Sequence, residues 1–282
     1  MRFVLRLAAA ALVMCATAQA AEERIGILVM AHGGDNRWNG TVRKTVRQAK
    51  LDAPTEVALG MGMHPGEIRE LREAVNRLER KGVARIAVVP LLVSSHSEVF
   101  RQYEYLLGLR PQAEWPEAGP PLRLEVPVVM GPALDGSAQV AQILLERAKD
   151  LSRRPAEETV VLIAHGPVSD EDNRRWLTAM QQLAASVQQQ GGFRAVLSAT
   201  MRDDAPKAVK EQAERQIREV VARAGEGGRA LVVPLLLAPG GVEKKIPKIL
   251  TGLAYVYNGE TLLPHPKVVE WLRQQVAQPT RL

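Results

Sequence analysis

The stretch that decides the fold is "RIAVVPLLVSSH" (85–96), because the chain repeats it as "RALVVPLLLAPG" (229–240). Both runs lack the polar alternation of a half-exposed strand, which suits a strand covered on both faces. The first ends in His96, with Glu98 two residues on; the second has glycines where the histidine would stand.

Working outward, a second pair of segments matches. "RIGILVMAHGGDNRWN" (24–39) and "TVVLIAHGPVSDEDNRRW" (159–176) are each an apolar strand ending in Ala-His-Gly, followed by Asp-Asn-Arg and a tryptophan. Between these landmarks each half carries an amphipathic helix pattern. Ile68, Leu71, Val75 and Leu78 fall at helical spacing in the first, and Val209, Ala213, Ile217 and Val220 in the second. The repeated unit is far longer than a solenoid repeat, so the chain reads as a duplicated domain. The boundary is placed in the charged, proline-bearing "LSRRPAEE" (151–158), giving domains 21–152 and 153–282.

Strands are expected near 24–31, 56–60, 84–92 and 123–129, then near 159–164, 194–199 and 230–237. Helices are expected near 36–51, 66–80, 97–107 and 136–150, then near 171–189, 206–223, 242–250 and 266–277. Strand–helix alternation makes this an α/β chain with two parallel sheets and right-handed crossovers. The proline-rich loop 111–121 shows no periodicity and reads as a lid or a surface excursion.

The first twenty residues stand apart. Arg2 and Arg6 precede an apolar stretch too short for a stable bilayer span, which closes on Ala18-Gln19-Ala20. That pattern is expected to be a cleavable signal, making the product periplasmic or secreted. Its removal takes two arginines and no acid, leaving a mildly basic chain. No Lys/Arg block is interleaved with aromatics, which argues against nucleic acid. The one cysteine, Cys15, lies in this segment, so the remainder has no thiolate ligand or disulfide. No later segment has the length of a membrane span.

Ligands of parallel sheets bind beyond the carboxyl ends of the strands, and His32, His96 and His165 all fall there. His32 precedes Gly33-Gly34, where glycine permits a sharp turn and close approach of a ligand. His96 meets His32 if the first and third strands are neighbours. Two neutral imidazoles on one cleft suit Co, Ni, Fe or Zn. Glu98 reads as a third ligand, as support for an imidazole, or as a helix first-turn acid. His64, before Pro65, reads as a ligand or a turn residue. His265, between two prolines, reads as a surface turn residue. Arg37, Arg43, Arg101, Arg174 and Lys244 are candidates for a basic rim, or solvated helix-face charges.

These residues together resemble the class II tetrapyrrole chelatases, in particular the sirohydrochlorin cobaltochelatase and ferrochelatase branch. The resemblance spans about 24 to 277. It implies a flavodoxin-like fold in each half, and two histidines that bind the metal and assist loss of pyrrole protons without a nucleotide. His32 matches the His-Gly histidine and His96 the post-strand histidine. His64 stands where the family often has an acid before a proline. The expected metal ligands are thus His32, His96, His64 and Glu98, with Gly33, Ser94, Ser95 and His165 facing a tetrapyrrole. The implied activity is insertion of Co2+, or Fe2+ or Ni2+, at one site in the first half, the second half forming its opposite wall. The alternative is a non-catalytic carrier of a metal or tetrapyrrole. Export departs from the family, whose members mostly work in the cytoplasm.

Overall fold

The computed structural model describes residues 24–277; the segment read as a signal, 1–20, lies outside the described residues. Strands β1 (Ile25–Ala31), β2 (Thr55–Leu59), β3 (Arg85–Pro90) and β4 (Val128–Met130) form one sheet in the order β2-β1-β3-β4. Strands β5 (Glu158–Ala164), β6 (Ala195–Thr200) and β7 (Arg229–Leu235) form the other, in the order β6-β5-β7. Every strand pairing is parallel, and this order with the first strand inside is that of a doubly wound sheet. The strands lie where the unbroken apolar runs put them; β5 is buried at every position.

The strand expected near 123–129 is mostly absent: only Val128–Met130 pairs, with Ile86–Val88 of β3. Pro120, Pro121 and Pro127 supply no N–H to a ladder, so the segment before Val128 runs as loop. The second sheet has only a trace of a fourth strand. Val256 makes an isolated parallel bridge to Leu231, its N–H donating to Ala230 O at 2.8 Å.

The helices are α1 (Asn36–Ala49), α2 (Pro65–Arg80), α3 (Glu98–Leu106), α4 (Ala138–Leu151), α5 (Asp170–Gly191), α6 (Lys207–Gly225), α7 (Lys245–Ile249) and α8 (Pro266–Ala277). Capping sets several starts: Asp35, Ser97, Ser137 and Ser169 each accept an N–H of the first turn. Where one helix was expected near 242–250, a 3-10 turn at Val242–Lys244 leads into the short α7. On α6 the buried position is Val221, with Val220 only partly covered.

A single apolar core joins the halves. It runs from Ile27, Val29 and Ala31 of β1 through α1, α8, α4 and α5 to Val160 and Leu162 of β5 and Leu231 and Val233 of β7. Helices α2 and α3 cover the outer face of the first sheet, and α6 and α7 that of the second. The two middle helices are exchanged. α4, which follows the first sheet, packs on β7 and α5 of the second; α8, which ends the chain, packs on α1 and reaches β3 of the first. Polar contacts reinforce the exchange: Arg273 Nε donates to Ala49 O at 2.8 Å, and Gln139 to Gln274 at 2.7 Å. Among the described residues no helix is long and apolar enough to cross a membrane.

Candidate active site

β1 and β3 are direct neighbours, in register Met30 with Pro90, and Leu91 N donates to Met30 O at 2.7 Å. His32 and His96 therefore leave adjacent strands at one end of one sheet. His64 leaves β2, on the other side of β1, at the same end. An open groove of about 1110 Å3 lies instead at the amino-terminal end, where Arg24, Pro54, Lys81 and Arg85 line it. Ligands of such sheets sit beyond the carboxyl ends, which makes the histidine rim the candidate site.

His32 is exposed, and its Nδ1 lies 2.7 Å from Gly33 O. A carbonyl oxygen only accepts, so in the neutral ring Nδ1 carries the hydrogen and Nε2 keeps the lone pair. His165 repeats the pose, with Nδ1 3.1 Å from Gly166 O. The following glycines make it possible: Gly33 and Gly166 have φ of 81° and 76°. A Cβ on Gly33 would stand 3.0 Å from Gly60 N, and one on Gly166 2.6 Å from Thr200 Cβ. Behind His32 lies Trp38, ring centroids 6.3 Å apart, and against Trp38 lies Gly240 of the second half.

The arm bearing His96 is built from its serines. Ser95 donates from N and Oγ to Asp135, at 2.8 and 2.6 Å, and its Oγ accepts from Ala133 N. Ser94 is 2% exposed and its Oγ accepts from His96 N at 3.1 Å. Expected to face a macrocycle, both hydroxyls are instead committed to the loop. The His96 ring is partly buried, with no hydrogen-bond partner among the described residues. In the second half Pro239 stands for Ser95, and Leu263 takes the place of Asp135: Leu263 N donates to Leu237 O as Asp135 N does to Val93 O. The polar lock of the arm exists once.

Glu98 does not sit as a free ligand. Its Oε1 accepts from Val168 N and Ser169 N, at 3.1 and 3.2 Å, across the boundary between the halves. The helix-terminus reading is right in kind, but the helix it serves is α5 as well as its own. His64 is the residue before Pro65 at the start of α2, exposed, its N–H bonded to Glu67 Oε2 at 3.3 Å. That carboxylate also takes Gly62 N and Met63 N. No three of His32, His64, His96 and Glu98 bring ligand atoms within 4.8 Å of one another, so the four-ligand set is not assembled here.

A different trio does assemble, in the half expected to be degenerate: His165, Asp203 and Asp204. His165 Nε2 lies 3.6 Å from Asp204 Oδ2. Asp203, however, already holds Lys210 Nζ at 2.5 Å and Lys245 Nζ. Burial pushes its carboxyl up, yet the two lysines outweigh this and hold it below the usual range. Two ammonium groups on one carboxylate oppose a third cation. Buried Arg202, with φ of 52°, fixes the His165 loop through Pro167 O at 3.2 Å and Asp170 at 2.6 Å. A positive-φ arginine leaves no mark in the sequence.

Of the rim candidates, Arg37, Arg174 and Lys244 are exposed at the carboxyl end. Arg43 pairs with Glu70 at 2.6 Å. Arg101 is no solvated charge: it holds Glu114 at 2.6 Å and Asp172 at 2.7 Å. The loop 111–121 is thereby tied down, with Gln102 Oε1 accepting from Glu114 N. His265 is no surface residue either. Its side chain is 9% exposed, Nε2 lies 3.0 Å from Glu146 of α4, and Nδ1 accepts from Lys267 N.

Comparison with known proteins places this geometry. The model of the CbiX family matches twice, over residues 26–151 and 159–279. The structure is similar to SirB from Bacillus subtilis with Fe3+, at 21% identity and TM-score 0.64, over 91% of this chain and 95% of that one. It is similar to CbiX, described as the terminal enzyme for biosynthesis of siroheme in denitrifying bacteria, at 16% identity and TM-score 0.56, over 89% and 98%. It is also similar to DR2241 from Deinococcus radiodurans, described as a multi-domain protein with structural similarity to chelatases, at 19% identity and TM-score 0.54, over 90% and 55%. No curated protein sequence matches. With one family region on each sheet, the chain belongs to the CbiX family of class II chelatases.

Proposed function

We propose that the chain inserts a divalent cation, Co2+ foremost and Fe2+ or Ni2+ as alternatives, into a sirohydrochlorin-type tetrapyrrole, at a site carried by His32 and His96. The observation that carries this is the pose of His32: exposed, with Nδ1 tied to Gly33 O so that Nε2 keeps the lone pair, at the end of the strand beside the one that presents His96. Insertion exchanges two pyrrole protons for one cation. The cation must be held by ligands that release it, and the protons accepted near neutral pH. Imidazole, with an unperturbed pKa near ~6.5, serves both needs. Arg37, Arg174 and Lys244 supply positive charge on the same rim for the ring's carboxylates.

The amino-terminal pattern supports work outside the cytoplasm after loss of residues 1–20. Cell fractionation and the terminus of the isolated protein test that independently.

The decisive experiment mixes the processed chain with metal-free sirohydrochlorin and Co2+ and follows the absorbance change. The expected result is a rate well above the spontaneous one that His32→Ala abolishes. An unchanged rate in His32→Ala overturns the reading. Tight stoichiometric binding without turnover would mark a carrier instead.

A further inference from the structure

Helix α3 begins two residues after His96 and spans only Glu98–Leu106. On its first turn Glu98 and Arg101 are three apart, so they share a face, and both reach the start of α5 in the other half. Glu98 Oε1 accepts the Val168 and Ser169 amides; Arg101 donates to Asp172 at 2.7 Å. Asp172 is 5% exposed, and Ser169 Oγ donates to it at 2.8 Å. On its other side Arg101 holds Glu114 through two nitrogens, at 2.6 and 3.1 Å. A carboxylate at a helix amino terminus and a guanidinium between two carboxylates are both strong, directional contacts.

The His96 arm is therefore fixed at two ends. Ser95 to Asp135 anchors it within the first half, and Glu98 with Arg101 anchors it to the second. We propose that Glu98, Arg101 and Asp172 are positioning residues that set the pose of His96, so the second repeat, lacking a histidine of its own at Gly240, acts as the clamp for the first repeat's metal arm. This rests on the chelatase reading of the His32–His96 site and gives the second half a task beyond forming a wall.

The test uses the full processed chain with Co2+ as probe. Asp172→Asn and Glu98→Ala should each weaken Co2+ binding by about 10-fold or more, the scale for residues that orient metal ligands. They should change the Co2+ absorption spectrum and lower kcat while leaving KM for the macrocycle within about twofold. Glu98→Gln retains an acceptor for the two amides and should restore most of the affinity. Arg154→Ala, in an exposed pair with Glu157 away from this contact, should match the parent. Circular dichroism melts identify any variant that fails to fold, and Arg101→Lys, which keeps the charge but loses the fork that bridges Glu114 and Asp172, then supplies the comparison through its altered spectrum.

Unchanged affinity and spectrum in folded Asp172→Asn and Glu98→Ala overturn the proposal. A second readout separates it from the functional reading: the imidazole resonances of His96 in metal-free protein. Displacement of His96 signals in Asp172→Asn, with those of His265 unmoved, supports the clamp even if the parent neither binds Co2+ nor turns over. Unmoved His96 signals reject it.

Discussion

Gly240 lies so close to the indole of Trp38 that a Cβ on it would stand 2.8 Å from Cδ1. In the repeat this is the position of His96. The second half thus has no histidine there for a steric reason: the first half's tryptophan, which backs His32, fills the space. Gly240→His should fail to create a second histidine pair. It is expected to destabilise the fold by about 1–3 kcal/mol, the usual cost of overpacking, and to lower activity at His32. Urea unfolding and the Co2+ assay check the two effects.

Gly33 can be separated from His32 by experiment. His32 is exposed, so His32→Ala should shift stability by no more than about 0.5 kcal/mol while removing activity. Gly33→Ala places a side chain at φ 81° and a Cβ 3.0 Å from the Gly60 backbone. It should cost about 1–3 kcal/mol from left-handed strain and crowding together. Comparing denaturation midpoints of the two variants tests this division of labour.

Glu158 gives the fold an acid sensitivity. The residue is 1% exposed at the start of β5. Burial pushes its carboxyl up, but the Ser152 hydroxyl, the Arg153 and Arg154 amides and the Arg229 guanidinium outweigh burial and hold it below the ordinary 4.5. A folded-state value below the unfolded one means stability fully present above that ordinary value and lost as pH falls through it towards the folded value. Glu158→Gln should therefore lower stability at pH 7, where the paired carboxylate is charged in the parent. The gap between variant and parent should close as melts are repeated below pH 4.5. A gap that stays constant to pH 3 would assign the cost to packing.

His265 offers a control remote from the chemistry. It links Glu146 of α4 to the first turn of α8. His265→Ala should lower stability by about 1–3 kcal/mol, through the Lys267 amide left without its acceptor and the void in a covered site, while Co2+ binding stays unchanged.

What the residues disclosed and what they hid follow one division. The unbroken apolar runs marked β1, β3, β5 and β7, and the His-Gly turns marked their carboxyl ends, because strand burial and turn chemistry are local. The duplication was legible because both copies keep the same local signals. The partners of Glu98 and Arg101 were hidden because they lie 70 and 71 positions away, and no spacing rule reaches that far. The burial of His265 and the commitment of Ser95 to Asp135 were hidden for the same reason. The sequence marked helices near 136–150 and 266–277, but nothing in it told which sheet each would meet.

That last point has a consequence for any attempt to divide the molecule. Severed between 152 and 157, the chain would yield an amino-terminal fragment whose last helix has lost its sheet, and a carboxyl-terminal fragment in the same plight. Each would expose a greasy wall that only the other can cover. The pair should reassociate when mixed, and the intact protein should melt in one step, because neither lobe owns all the parts of its own interior.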